Sequence, residues 1–235
     1  MRVRSAAAVL LVVTLLSWAW IVVMARDMYG PMTGASAWMM TTHWDAPHLL
    51  LLWAMWAVMM TAMMLPSAMP MILLVGRRGH PTPLALGYLA VWAAFSVGAT
   101  ALQWLLADRL IITPMMEIAT PQAGAALLAV AGVYQWTPLK RACLTTCQAP
   151  MAFLAQRWRS GRWGAFRMGL ENGVYCVGCC WALMLLLFVG GVMNLAVILA
   201  LTAFVAFEKL VPAGPHAARL SGVLLVAAAA WMLAS

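Results

Sequence analysis

The sequence predicts an all-α protein, a transmembrane bundle of about seven helices with its N-terminus in the cytoplasm, and three observations carry that expectation. Of 235 residues, 66% are hydrophobic and 9% charged, against roughly a quarter charged in soluble domains, and the mean hydropathy is +0.93. Charge-poor runs recur along the whole chain, which favours one polytopic domain over residues 1–235 rather than a soluble domain with an anchor. With the N-terminus inside, 12 of the 14 Lys and Arg residues fall in inner segments and only Arg26 and Arg109 in outer loops. That bias obeys the positive-inside rule, so topology rather than nucleic acid accounts for the net charge of +8.

The first helix is expected over 6–24, after Met-Arg-Val-Arg. Its apolar run is longer than a signal-peptide core and lacks a small-x-small cleavage site, so it is read as retained. An outer loop over 25–47 follows, holding His43, Trp44 and Asp45, and then a second helix over 48–75 that contains Pro66 and Pro70. Further helices are expected over 84–107 and 122–136, with Arg77 and Arg78 in the inner loop before the first of these. From Asn172 to Phe207 there are 36 residues without a charge. As one helix they would measure about 54 Å, well over the roughly 30 Å of a bilayer's hydrocarbon core. The run must therefore fold back, and Gly190-Gly191 is the natural turn between helices over 173–189 and 192–207. The last helix is expected over 219–233.

Residues 140–167 lie on the inner side and do not span. Leu144, Met151, Phe153, Leu154 and Trp158 are interleaved with Arg157, Arg159 and Arg162, the pattern of an amphipathic helix in the headgroup layer. Asn194 is expected to hydrogen-bond a neighbouring helix.

Sulfur marks the candidate site. Cys176, Cys179 and Cys180 stand at i, i+3 and i+4 and share one helical face. Soft thiolates converging at membrane depth suit a soft metal ion, most of all Cu(I), while buried free cysteines also serve as small hydrophobes. Cys143 and Cys147 are spaced i, i+4 near the start of the amphipathic segment. In the second helix Met55, Met59 and Met63 form one line, and Met60 with Met64 forms another beside it. Thioethers suit Cu(I), although a Met stripe at helical spacing is equally a way of filling a core. Glu171 and Glu208, at the inner ends of the fifth and sixth helices, are either further ligands or interfacial carboxylates, with Lys209 or Arg219 the expected partners of Glu208. Four thiolates would also suit zinc. An odd count of five cysteines, none in the outer loops, argues against a disulfide framework. The four His residues show no ligand spacing, which leaves a haem unsupported, and the last helix has no Lys for a retinal Schiff base.

The segments Met60-Thr-Ala-Met-Met-Leu-Pro-Ser67, Tyr134 to Cys147, Tyr175-Cys-Val-Gly-Cys-Cys-Trp-Ala-Leu-Met184, Gly191-Val-Met-Asn194 and Glu208-Lys209 resemble a bacterial family known as domain of unknown function 2182, described as predicted metal-binding integral membrane proteins. The resemblance covers most of the chain beyond the first helix. It implies a polytopic membrane protein, with copper as the metal. Many members carry His just before the Gly of the cysteine helix, where this chain has Asn172.

The functional expectation is a bacterial inner-membrane protein, not an enzyme, that binds Cu(I) through Cys176, Cys179 and Cys180 with Cys143 or Cys147 and with Met59, Met60, Met63 and Met64 as candidate thioether donors. Its partners would be the lipid bilayer and a membrane protein or metal-accepting protein, with copper delivered or transported. Two rivals stand beside it. Cys176 and Cys179 have the Cys-x-x-Cys spacing of a thiol-disulfide oxidoreductase, and the short loops suit an accessory or assembly subunit of a larger membrane complex.

Overall fold

The computed structural model describes residues 2–30, 32, 37, 39, 44–77, 79–113 and 115–234, and the chain is an all-α helical bundle with no strand among them. His43 and Arg78 lie outside the described residues. Helix α1 (Arg2–Met28) leads to α2 (Ala46–Gly76), α3 (Pro81–Asp108) and the short α4 (Pro121–Tyr134). Two short helices, α5 (Pro138–Gln148) and α6 (Pro150–Arg157), precede α7 (Gly161–Met184), which continues after a one-residue break as α8 (Leu186–Gly190). Then come α9 (Leu195–Leu210) and α10 (Gly214–Ala234).

Five stretches among the described residues are long and apolar enough to cross a membrane: α1, α2, α3, α7 with α8, and α10. The expected number of about seven is reached only by adding α4, with 14 residues, and α9, with 16. At 1.5 Å per residue these measure about 21 and 24 Å, short of a full hydrocarbon core. The expected amphipathic segment also ends sooner. It is two helices separated at Ala149, where Pro150 starts a new one, and α7 begins at Gly161 rather than near 173. Arg162 and Arg167 therefore belong to the first turns of α7, where long basic side chains can reach past an apolar surface to water.

Helix starts follow local chemistry. The Asp45 carboxylate caps α2 by accepting the His48 N–H at 3.0 Å, with Pro47 in the first turn. Thr137 caps α5, accepting the Lys140 N–H at 3.2 Å, with Pro138 following. Gly191, at φ 91°, makes the turn expected at the glycine pair, because only glycine takes that backbone without strain. Asn194 corrects an expectation. Rather than bridging to another helix it caps its own, accepting the N–H groups of Ala196 at 3.1 Å and Val197 at 3.5 Å.

Helix α2 is the core element: Met55, Trp56, Met59, Met60, Ala62, Met63, Met64 and Leu65 are all buried, while Trp53, Ala54, Ala57, Val58 and Thr61 form a partly exposed face. Helix α7 crosses α3 at close range. A methyl group added at Gly87 would overlap the Phe166 carbonyl oxygen, and one at Gly169 would overlap the Leu84 carbonyl oxygen. Small residues allow this approach, as they do between membrane helices generally, and it brings the middle of α3 against the cysteine turn of α7.

Candidate metal centre

The expected face of α7 forms. Cys176, Cys179 and Cys180 are all buried, and all five cysteines of the chain are free. The Cys179 Sγ lies 3.1 Å and the Cys180 Sγ 2.9 Å from the Cys176 carbonyl oxygen, to which both donate. Thiols in a helix commonly satisfy themselves this way, on a carbonyl one turn back. The second wall comes from α2, where Met64 Sδ lies 3.9 Å from Cys180 Sγ.

Three residues that the sequence reading did not single out as donors complete the pocket. From α3, the Tyr88 hydroxyl sits 2.9 Å from Cys176 Sγ and donates to the Met64 carbonyl oxygen at 3.1 Å. From α9, the Lys209 Nζ stands 2.8 Å from Cys176 Sγ, 3.8 Å from Met64 Sδ and 3.4 Å from Ser67 Oγ. Ser67 itself donates to the Met64 carbonyl at 2.9 Å, a helix already short of donors because it contains Pro66 and Pro70. Tyr88 has no periodic signature, being one aromatic residue in an apolar helix. Lys209 had a readable signal, a lone cation directly beyond 36 uncharged positions and Glu208, but its direction depends on how α9 packs.

Cys143 and Cys147 approach from α5. Cys143 is buried, and its Sγ would stand 2.7 Å from a methyl group at Gly178. A hydrogen bond to Cys179, followed by burial, pushes the half-buried Cys147 thiol up from its ordinary pKa. The Tyr134 hydroxyl, at the end of α4, donates to the Gly178 carbonyl and ties that end of α4 to the cysteine turn. The cysteine pair of α5 and the trio of α7 thus meet along one contact between the two helices.

The carboxylates stand apart from the sulfur atoms. Glu208 is buried and pairs with Lys140, whose Nζ lies 2.9 and 2.8 Å from its two oxygens, rather than with the expected Lys209 or Arg219. Glu171 faces outward to Arg157 at 3.1 Å and Arg159 at 2.7 Å. Met59, Met60 and Met63 are buried on α2, and of the four candidate thioethers the measured approach to a thiol is that of Met64. Among the described residues no three His, Cys, Asp or Glu side chains are grouped as a metal ion would require. Two of the three α7 thiols are turned onto a backbone carbonyl, and an ammonium stands beside the third.

The chemistry available is soft. Buried thiols and a thioether are donors that favour Cu(I) and reject hard cations. The family model of the PpoB2 copper chaperones matches residues 53–232. The chain belongs to this family. The matched segment contains every residue of the sulfur pocket and omits α1, and it carries the copper association that the sequence resemblance implied. No curated protein and no solved structure matches the chain.

Proposed function

We propose that this copper chaperone is a multi-pass protein of the bacterial inner membrane that holds copper as Cu(I) on sulfur and delivers it to an acceptor protein. The observation that carries the reading is the meeting of Cys176, Cys180 and Met64 in one buried pocket. Two thiolates and a thioether suit Cu(I), which is content with two or three soft donors, whereas structural zinc takes four ligands. Binding requires a thiol to lose its proton and to turn from the Cys176 carbonyl towards the ion. No electron moves.

Cys143 and Cys147 supply the way out. Cys147 is the more open of the pair and lies against Cys179, so a copper ion can pass from thiolate to thiolate without meeting water alone. An acceptor approaching from the cytoplasmic side would meet α5 first. Nucleic acid has no part in this reading.

The test is elemental analysis of protein purified anaerobically in mild detergent, beside a Cys176→Ala/Cys179→Ala/Cys180→Ala variant whose helix content is checked by circular dichroism. Copper near one per chain in the first sample and absent from a folded second sample is expected. Equal copper in both samples sinks the reading. Zinc in place of copper corrects the metal, and a reversible disulfide with no metal in either sample transfers the protein to the thiol-disulfide oxidoreductases.

A further inference from the structure

Lys209 is a buried cation with an unusual set of neighbours. Its side chain is 6% exposed, and Nζ meets a thiol, a thioether and a hydroxyl. Among the described residues no carboxylate lies within ion-pair distance of it. The adjacent Glu208 is already engaged by Lys140 on both oxygens. Burying an ammonium with no anionic partner is costly, and native proteins rarely do it without a reason. The position is also informative, because Nζ touches Cys176 and Met64, while Cys180 reaches the same Met64 sulfur. The three sulfur atoms proposed above as donors are therefore gathered around, or one contact away from, a resident positive charge.

Resting on the copper reading, we propose that Lys209 is the resident counter-ion of the copper site and sets its preference for a monovalent metal. Before copper enters, the ammonium stands among the sulfur atoms and ties Cys176 and Met64 to α9. When Cu(I) binds Cys176 and Cys180 as thiolates with Met64 as third donor, two thiol protons leave to water. The metal and two thiolates then carry one negative charge, and the ammonium of Lys209 brings the closed site to zero. In a low-dielectric pocket that neutrality decides which ion is held, because a net charge is far more expensive there than in water. A divalent ion on the same three donors would already be neutral, so the ammonium of Lys209 would leave the closed site with a net positive charge, and a third thiolate would have to be recruited to remove it.

The experiment compares Cu(I) and Zn(II) affinities of wild-type protein, Lys209→Met and Lys209→Arg in detergent, by competition with chromogenic chelators. Lys209→Met should weaken Cu(I) by about 10- to 100-fold, the usual cost of removing a group that supports metal ligands, while Zn(II) binding stays level or tightens. Lys209→Arg keeps the charge and should bind Cu(I) more tightly than Lys209→Met. Should Lys209→Met not fold, Lys209→Gln removes the charge and retains a donor for Ser67. A neutral variant in which both metals weaken by the same factor, or neither weakens, overturns the counter-ion role and points to a structural one. Failure of the wild-type protein to bind Cu(I) at all overturns the copper reading instead.

Discussion

Glu208 and Lys209 are consecutive residues at one end of α9, both buried, and the helix sends them to opposite kinds of neighbour. Glu208 meets Lys140 in an ion pair with two short contacts, and its backbone carbonyl also accepts a hydrogen bond from the Gln148 side chain at 2.6 Å. Both of those partners lie on α5, so the carboxylate fastens α5 to α9. Lys209 turns instead to Cys176, Ser67 and Met64 on α7 and α2. The first charge is satisfied by an ion pair, whereas the second is held by a thiol, a thioether and a hydroxyl, the groups proposed above to meet a soft metal. Burial alone does not mark a functional residue. Among buried charges, the one whose neighbours are reactive is the informative one.

The largest expected effect breaks the structural half of this comparison. Lys140→Met leaves the Glu208 carboxylate buried and unpaired, and removal of one partner from such a pair costs about 3–5 kcal/mol. Unfolding in mild detergent should show that loss. Lys140→Met combined with Glu208→Leu should recover most of it, since an apolar pair of similar volume often does as well as a buried ion pair. If the double variant is as unstable as the single one, the pair serves more than neutralisation. Next in size is Gly169→Ala, where the new methyl group meets the Leu84 carbonyl and must push α3 from α7. Overpacking of this kind costs about 1–3 kcal/mol, and it should lower copper content too, because Tyr88 reaches Cys176 only through that close crossing.

Tyr88→Phe sharpens the functional half. The change removes one hydroxyl that bonds both Met64 and Cys176 and should cost about 1 kcal/mol in stability. Cu(I) affinity, measured by the same chelator competition, should fall by about tenfold, as loss of a group supporting a metal ligand does. A stability loss with unchanged affinity would assign Tyr88 to packing alone.

Much of this was legible in the chain, and the residues that were not share a cause. The spacing of Cys176, Cys179 and Cys180 placed them on one face, and the glycine pair at 190 and 191 gave the fold-back, because both signals are local. Cys143 and Cys147 were readable as a pair by the same helical spacing and were expected beside the trio, but the contact that brings them there, α5 packed on α7 with Cys143 against Gly178, depends on tertiary packing. The early start of α7 was hidden by Arg162 and Arg167, whose charges break the apolar run without breaking the helix. The partner of Glu208 sits 68 positions away on α5, while the charges nearest in sequence, Lys209 and Arg219, were the natural guesses. Tertiary packing decided between them. Asn194 is different, since an Asn directly before an apolar helix is a local capping signal and could have been read as one.

The smallest effect is expected where a carboxylate of the sulfur helix looks away from the sulfur. Glu171 shares α7 with the cysteine trio, but its oxygens face Arg157 and Arg159, side chains that are themselves 42% exposed. Arg157 also reaches the Tyr175 hydroxyl at 2.9 Å, so the end of α6 keeps a second hold on α7 when the ion pair is lost. Exposed ion pairs contribute little, and Glu171→Gln should leave both the unfolding midpoint and the copper content unchanged. A ligand role requires the opposite, because an amide is a poor substitute for a carboxylate at a metal. Copper lost from a folded Glu171→Gln protein would mean that α7 turns on loading and carries Glu171 inward with the thiols.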